Sequence, residues 1–372
     1  MKVFIGKENS CNLNYQHYYI YQSISKYFEI TDNINEADTI IIAETCCCTK
    51  YNILITVDYI KSIIENKKDD AKVYLTGCIT RKFRDDPFLN KVEKWLKDNI
   101  DYIVPQNQPN LLLQLISQNN YSNKDVNDFG QVTINNNSAS IYIGNGCLNN
   151  CSFCKTTFQK YPLKSVDLNE LKEAIDILNE NNIHQIYLKA TNICQYGLDN
   201  YHDYMLPEVI EYLNKKENIK NVSLVGFSFK DAIKNNFAEV IRNSNKIAEL
   251  CGSLESGSDR LLSMIRKGFT SEEIINFVEK IRQVHFKYLH LNVIAGFPTE
   301  TLEDVYKTLD VLKQLNPHAV DLCRYTNSTF VDSNQYEQLT PEKIQEHSRI
   351  YSKVLKKRNV STSIVGAGYK YN

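Results

Sequence analysis

The stretch Gly144-Asn145-Gly146-Cys147-Leu148-Asn149-Asn150-Cys151-Ser152-Phe153-Cys154 places three cysteines in a CxxxCxxC loop, with an aromatic residue just before the last. Three thiolates from so short a loop can hold three corners of a cubane iron–sulfur cluster and leave the fourth iron without a protein ligand. An open metal site beside a reducible cluster is a place for chemistry as well as for electron storage. The competing reading is a structural zinc loop. Zinc sites favour a paired C-x2-C spacing and need a fourth ligand close by, so the spacing favours the cluster.

The chain around this loop has 372 residues, enough for two or three domains. With 42% hydrophobic and 23% charged residues its composition is that of an ordinary globular protein. No stretch approaches the ~20 apolar residues of a membrane span. Lys2 leads through Val3-Phe4-Ile5 into polar sequence, unlike a signal peptide, so a cytoplasmic location is expected. In that compartment the 11 cysteines point to metal binding before disulfides. A net charge of −1 does not suggest a chain wrapped along nucleic acid.

Working outward, the N-terminal part alternates strand and helix patterns. Val3–Ile5 is a short apolar run with Cys11 behind it, and Gln16–Phe28 has helical spacing. Thr39-Ile40-Ile41-Ile42-Ala43 reads as a strand covered on both faces, with Cys46, Cys47 and Cys48 directly after it. Ile53–Glu65 reads as a helix, Lys72–Thr76 as a strand followed by Gly77-Cys78, and Asp101–Val104 as a further strand. This pattern predicts a small parallel α/β domain over residues 1–116. Cys11, one of Cys46–Cys48, and Cys78 each follow a strand's C-terminal end, the edge where open parallel sheets bind ligands. Three converging thiolates could hold a second cluster with one iron open. The alternative is that each is a small buried hydrophobe.

An Asn-rich linker is expected over residues 117–137, with one strand near Gln131–Ile134. The alternation then restarts, with strands at Ser140–Ile143, Gln185–Lys189, Val222–Phe227, Ala248–Leu254, Tyr288–Ile294 and Ala319–Tyr325. Helical patterns lie between them, among them Asp167–Leu178, Thr270–Val284 and Thr301–Leu315, and Asp167 has the spacing of an N-cap. Six β/α units over residues 138–335 predict a partial (β/α)6 barrel with its chemistry at the C-terminal strand ends. Residues 336–372 are expected to form a helix from Pro341 and a short tail. Cys194, Cys251 and Cys323 are expected to pack in the core.

The spacing of the CxxxCxxC loop, with its aromatic, resembles that of the radical S-adenosylmethionine (SAM) enzymes. The whole order resembles the radical SAM methylthiotransferases, which modify tRNA adenosines or a ribosomal protein side chain. Cys11-Asn12-Leu13-Asn14, Ala37–Ile42 with Thr45-Cys46, and Thr76-Gly77-Cys78 resemble the three cysteine motifs of that family's first domain. Tyr187-Leu188 through Tyr196-Gly197-Leu198-Asp199, Glu255-Ser256-Gly257-Ser258-Asp259 with Leu262, Met264 and Arg266, and Ile294–Thr301 resemble its later motifs. The resemblance implies two [4Fe-4S] clusters, one on Cys147, Cys151 and Cys154 and an auxiliary one on Cys11, Cys46 and Cys78. The Thr-Cys register favours Cys46, and Cys48 could substitute. SAM serves twice, as radical source and as methyl donor; no catalytic residue beyond the clusters is assigned. For SAM, Phe153 would offer an apolar edge to adenine, Thr191 and Asn192 would meet the methionyl amine, and Glu255 and Ser256 the ribose. Arg266 would neutralise the carboxylate and Gly296 would let the backbone approach the ligand.

Three departures bear on the substrate. Lys155–Pro162 lacks the family's Arg-Gly pair, and the second-strand motif is changed to Lys189-Ala190-Thr191-Asn192-Ile193-Cys194. No run of five short strands follows Tyr325, where usual members carry a small β-barrel (the TRAM domain). With the charge balance, this favours a peptide or protein substrate over tRNA adenosine, the alternative. Two further alternatives are an enzyme whose second cluster only relays electrons and a non-catalytic iron–sulfur protein. The resemblance also implies an electron donor such as flavodoxin or ferredoxin. A monomer with no membrane partner is expected.

Overall fold

The structure, a computed structural model, describes residues 1–7, 20–21, 24–25, 27–45, 50–80, 87–104, 112, 115–116, 132–154, 163–282, 286–327 and 331–365, with the backbone alone at 7, 44, 50–52, 78, 87–89, 133–135 and 365. The chain divides into two compact units, Met1–Gln131 and Val132–Asn372. The strand expected at the end of the linker therefore belongs to the second unit, because it pairs there.

In the first unit five strands run parallel: β1 (Lys2–Lys7), β2 (Glu29–Ile30), β3 (Thr39–Glu44), β4 (Lys72–Leu75) and β5 (Tyr102–Ile103). Their order is β2-β1-β3-β4-β5, so the winding reverses between β1 and β3. Ligands of open α/β sheets bind beyond the strand ends at such a switch point. Helices α1 (Lys50–Asn66) and α2 (Pro87–Asn99) are the connections whose bounds are defined. Ile40, Ile41 and Ile42 are fully buried, as a β-branched run sandwiched on both faces requires. The helix expected over residues 16–28 lies largely outside the described residues, but Ile20 and Ile24 pack into the same cluster as Val3, Ile41 and Tyr74.

The second unit is one sheet. It opens with an antiparallel hairpin, β6 (Val132–Asn135) and β7 (Ser138–Asn145), and continues in parallel through β9 (Gln185–Ala190), β10 (Asn221–Phe227), β11 (Ile247–Glu255), β12 (Tyr288–Ala295), β13 (Ala319–Arg324) and β14 (Ser361–Val365). The two-residue β8 (Lys164–Ser165) pairs with the end of β7. Between the strands lie α3 (Leu168–Glu180), α4 (Leu206–Asn214), α5 (Phe229–Lys234), α6 (Phe237–Asn243), α7 (Asp259–Ile265), α8 (Ser271–Ile281), α9 (Leu302–Leu315) and α10 (Pro341–Lys357). Asp167 caps α3 by accepting from the Asn169 and Glu170 amides, and capping boxes open α8 and α9.

The six expected strands are present, and β14 adds a further parallel strand where a tail was expected. Its Ser-Thr-Ser-Ile-Val sequence is too polar to signal a strand, and pairing with β13 supplies the backbone partners instead. Alternate residues of the sheet face the helices: Ile186, Leu188, Leu224, Leu250, Leu254, Leu289, Leu291, Val293, Val320 and Leu322 form one core with them. Each such side chain stabilises the unit by about 1.5–3 kcal/mol relative to exposure. The other set, interior to the curled sheet, carries the chemistry described next.

Candidate cluster and cofactor site

The CxxxCxxC loop leaves the C-terminal end of β7. Its centre is stitched by backbone: the Ser152 amide donates to Ile265 O at the end of α7 (3.0 Å), and the Ser333 amide donates to Ser152 O (2.8 Å). All three cysteines are partly exposed. Burial raises the Cys147 thiol, and hydrogen bonds from Asn192 and Asn149 pull against it. Burial likewise pushes Cys151 up to about 11, with the charge of Lys267 acting the other way. The loop therefore presents thiols that lose their protons on binding iron.

Around this loop a buried carboxylate collects three amides. Asp231, 4% exposed on α5, accepts from Ser228 Oγ (2.6 Å), Asn192 Nδ2 (2.9 Å), Asn149 Nδ2 (3.0 Å) and Gln195 Nε2 (3.2 Å). Burial alone would raise its pKa, but these donors outweigh that and hold it below the ordinary carboxyl value. Gln195 Oε1 in turn accepts the Leu148 amide (2.8 Å). The Asn149 amide and Asn192 Nδ2 both donate to Cys147 Sγ, each at 3.4 Å.

Asn192 Oδ1 is buried with no hydrogen-bond partner among the described residues, and so is Ser152 Oγ. Orphaned acceptors in a buried polar site call for a ligand. Among the described residues no three His, Cys, Asp or Glu side chains surround a single-ion position. Three partly exposed thiols on one loop match in number the three protein-held corners of a cubane with one open iron.

The other expected SAM contacts divide. Phe153 lies partly buried against Leu261, Ile265, Ile294 and Phe297. Glu255 ends β11 buried and with a left-handed backbone (φ 68°), strain of the kind that concentrates at functional sites. Its carboxylate pairs with Lys267 Nζ at 3.7 Å, a residue that sequence reasoning passed over. Arg266 is likewise left-handed (φ 64°), at the C-cap of α7, and pairs with Asp332 at 2.6 Å. Thr191 is exposed at the end of β9 and donates to Asn145 Oδ1 (3.1 Å).

Two of the expected contacts are also engaged within the fold. The Ser256 hydroxyl is buried against α9, 3.1 Å from Thr308 Oγ1, and accepts the Ser258 amide (3.1 Å), contacts that hold α9 to the end of β11. Gly296 does allow a close approach, but by Ile344 of α10: a Cβ there would meet Ile344 Cγ1 at 2.6 Å, on a backbone at φ +82°. Glu300 accepts the Gly296 amide (2.6 Å) and sits 2.7 Å from His347 Nδ1, which locks α10 to the end of β12.

The interior face of the sheet corrects one expectation. Cys194 is in the core as expected, but Cys251 and Cys323 lie outside that core, half-buried on the opposite face, with thiols pushed up to about 12 by burial. They share that face with Tyr142, Lys189, His290 and Asp321, whose strand positions have the same parity. His290 Nε2 lies 3.1 Å from Asp321 Oδ2. Lys189 has no ion pair among the described residues, and burial lowers its pKa. Strand parity places Cys251 opposite Leu250 and Leu254 and Cys323 opposite Leu322, whereas Cys194 lies in a short 3-10 turn beyond β9.

In the first unit Cys11 and Cys46–Cys48 lie outside the described residues, as does the Cys78 side chain, so the auxiliary site is read from its frame. Thr45 Oγ1 donates to Thr76 O (2.9 Å) and accepts the Ile79 amide (3.2 Å). That bond pair fastens the turn before Cys46 to the turn that carries Cys78. Gly77 is left-handed (φ +97°), and a Cβ there would meet Thr45 Oγ1 at 2.5 Å, so the turn needs glycine.

A curled parallel sheet with a three-cysteine loop at the C-terminal end of its first parallel strand is the architecture of a radical SAM domain. The Radical SAM superfamily profile matches residues 141–312. The ribosomal protein uS12 methylthiotransferase RimO of Chlamydia pneumoniae is 25% identical over 345 residues, covering 90% of this chain and 72% of that one. The threonylcarbamoyladenosine tRNA methylthiotransferase MtaB of Aquifex aeolicus is 26% identical over 318 residues, covering 80% and 75%. Among solved structures, the radical SAM methyltransferase TsrM of Kitasatospora setae superposes with a TM-score of 0.60 at 14% identity, over 90% of this chain and 77% of that one, a likeness of fold. The chain carries a radical SAM domain over residues 141–312, and the curated relatives it matches along 80–90% of its length are methylthiotransferases. It is accordingly a SAM-dependent iron–sulfur enzyme of the transferase class.

Proposed function

We propose that the protein inserts a methylthio group at an unactivated C–H bond of a peptide or protein side chain. The observation that carries this is the CxxxCxxC loop with its donor set: three partly exposed thiols, two N–H groups on Cys147 Sγ, and the orphaned Asn192 Oδ1 beside them. In this reading Cys147, Cys151 and Cys154 hold one [4Fe-4S] cluster, and Cys11, Cys46 and Cys78 hold the second. When bound, the clusters and SAM supply a carbon-centred radical and a methylthio group.

The chain's own residues bind and orient. Asn192 Oδ1 accepts a hydrogen bond from the methionyl ammonium, its only need left unmet among the described residues. Phe153 packs the adenine edge, backed by Leu261 and Phe297. Glu255 accepts from the ribose hydroxyls; burial raises its carboxyl, and Lys267 Nζ 3.7 Å away pulls the other way. The Arg266 guanidinium, which also pairs with Asp332, meets the carboxylate. The interior face, with Lys189, His290 and Asp321, receives the substrate carbon and excludes water from it.

A peptide or protein is favoured over tRNA because the chain has a net charge of −1, while an RNA gripped by its phosphates calls for a basic surface. The relatives' names include a ribosomal protein and tRNA among their substrates. The test is anaerobic incubation of the reconstituted protein with SAM, dithionite and sulfide, with co-encoded peptides in one arm and bulk tRNA in the other. The mass gain of one methylthio group is expected on a peptide, with S-adenosylhomocysteine released. The same gain on tRNA alone would move the assignment to adenosine. 5′-Deoxyadenosine without S-adenosylhomocysteine, substrate present, would overturn methylthio transfer.

A further inference from the structure

Both donors on the Cys147 sulfur trace back to one side chain. The Asn149 backbone amide points at Cys147 Sγ, and the Asn149 side chain is anchored on Asp231 Oδ2 at 3.0 Å. Asn192 uses one carboxamide for two acceptors, Cys147 Sγ at 3.4 Å and Asp231 Oδ2 at 2.9 Å. A carboxylate only accepts, so it takes the NH2 end of every amide that meets it and turns each amide oxygen outward. That explains why Gln195 Oε1 is free to accept the Leu148 amide, and why Asn192 Oδ1 is left open and buried. Asp231 lies 36 to 82 residues from these three amides in sequence and gathers them to one point beside the loop.

We propose that Asp231 is a positioning residue for the radical SAM centre: it aims the Asn149 and Asn192 N–H groups at Cys147 Sγ and thereby sets the reduction potential of the cluster on that loop. The inference rests on the cluster reading of Cys147, Cys151 and Cys154. N–H donors on a ligating sulfur stabilise the more negative, reduced state, so they raise the potential. The charge of Asp231 acts in the opposite sense, since a nearby anion disfavours an added electron. The same amide that faces the sulfur exposes its oxygen for SAM, so cluster and cofactor are addressed through one side chain.

The test is a double-mutant cycle on the holoenzyme. The readout is potentiometric titration of the reduced-cluster EPR signal that SAM perturbs, alongside iron content per chain. Asn192→Ala removes a donor, and the reduced-to-oxidised ratio at fixed potential is expected to fall about tenfold, equivalent to about 59 mV for one electron. In the Asn192→Ala background, Asp231→Asn removes the charge and loosens only Asn149, and this gives the reference shift. In the Asn192 background the same substitution also releases the donor, so its shift is expected to be several-fold more negative. Equal shifts in both backgrounds, with iron content unchanged, would overturn the inference. A wild-type protein with no SAM-perturbed signal would instead overturn the cluster reading beneath it. If Asp231→Asn does not fold, Asn149→Ala serves, because it frees the other donor from the same anchor. A several-fold fall in the ratio supports the inference, and no change overturns it.

Discussion

Replacing Gly296 by alanine separates two roles that a glycine at a strand end can have. Its φ of +82° is open to glycine and strained for alanine, at about 1–2 kcal/mol. The added Cβ would also meet Ile344 at 2.6 Å for Cγ1 and 2.8 Å for Cγ2, overpacking that typically costs about 1–3 kcal/mol. Gly296→Ala is therefore expected to destabilise by about 2–5 kcal/mol. The assay is equilibrium urea unfolding followed by far-ultraviolet circular dichroism, beside SAM affinity measured on the folded variant. Ile344→Ala added to Gly296→Ala opens the space and is expected to restore the packing part, leaving about 1–2 kcal/mol of backbone strain. A loss below about 0.5 kcal/mol, or no relief from Ile344→Ala, would refute the packing role. Loss of SAM affinity at unchanged stability would return Gly296 to the ligand.

The other expectations test separate parts of the structure. Asp304 is held far below the ordinary carboxyl value: burial opposes this, but Arg260, Ser258 and Thr301 all donate to it. A depressed carboxyl stabilises the fold above its unfolded pKa, near 3.8, and that contribution is lost as pH falls through and below it. Asp304→Asn is thus expected to lower stability by about 2–3 kcal/mol at neutral pH, with the gap to wild type in urea midpoint closing below about pH 3.8; a gap constant with pH would refute it. Ser256→Ala is expected to cost about 1 kcal/mol of stability and leave SAM affinity unchanged, measured by calorimetric titration. Thr45→Val removes both bonds between the turns after β3 and β4, and iron content is expected to drop toward one cluster per chain; unchanged iron would detach the Thr45 frame from the auxiliary site.

Much of this was legible in the sequence, for identifiable reasons. Thr39–Ala43 announces a buried parallel strand because five apolar or β-branched residues in a row can only be covered on both faces. The CxxxCxxC loop is equally plain because its ligands are local. Strand β14 was not legible, since its sequence is polar and it exists by pairing with β13. Asp231 was invisible for the opposite reason: nothing about Ser228-Phe229-Lys230-Asp231 marks it until folding brings Asn149, Asn192 and Gln195 to its oxygens. Ser256 and Gly296 carried the right motif, but only the packing of α9 and α10 reveals what each one touches. Lys267 was passed over because a lysine after a helix is ordinary in sequence, whereas here its ammonium is drawn in beside Glu255 and Cys151.

The most direct measurement is 5′-deoxyadenosine formed when the anaerobically reconstituted protein is given SAM and dithionite. Wild-type protein should produce it, and the triple variant Cys147→Ala, Cys151→Ala, Cys154→Ala should produce none while keeping the iron of the auxiliary site. Absence of 5′-deoxyadenosine from iron-loaded wild-type protein, or equal amounts from the triple variant, would contradict a radical centre on this loop.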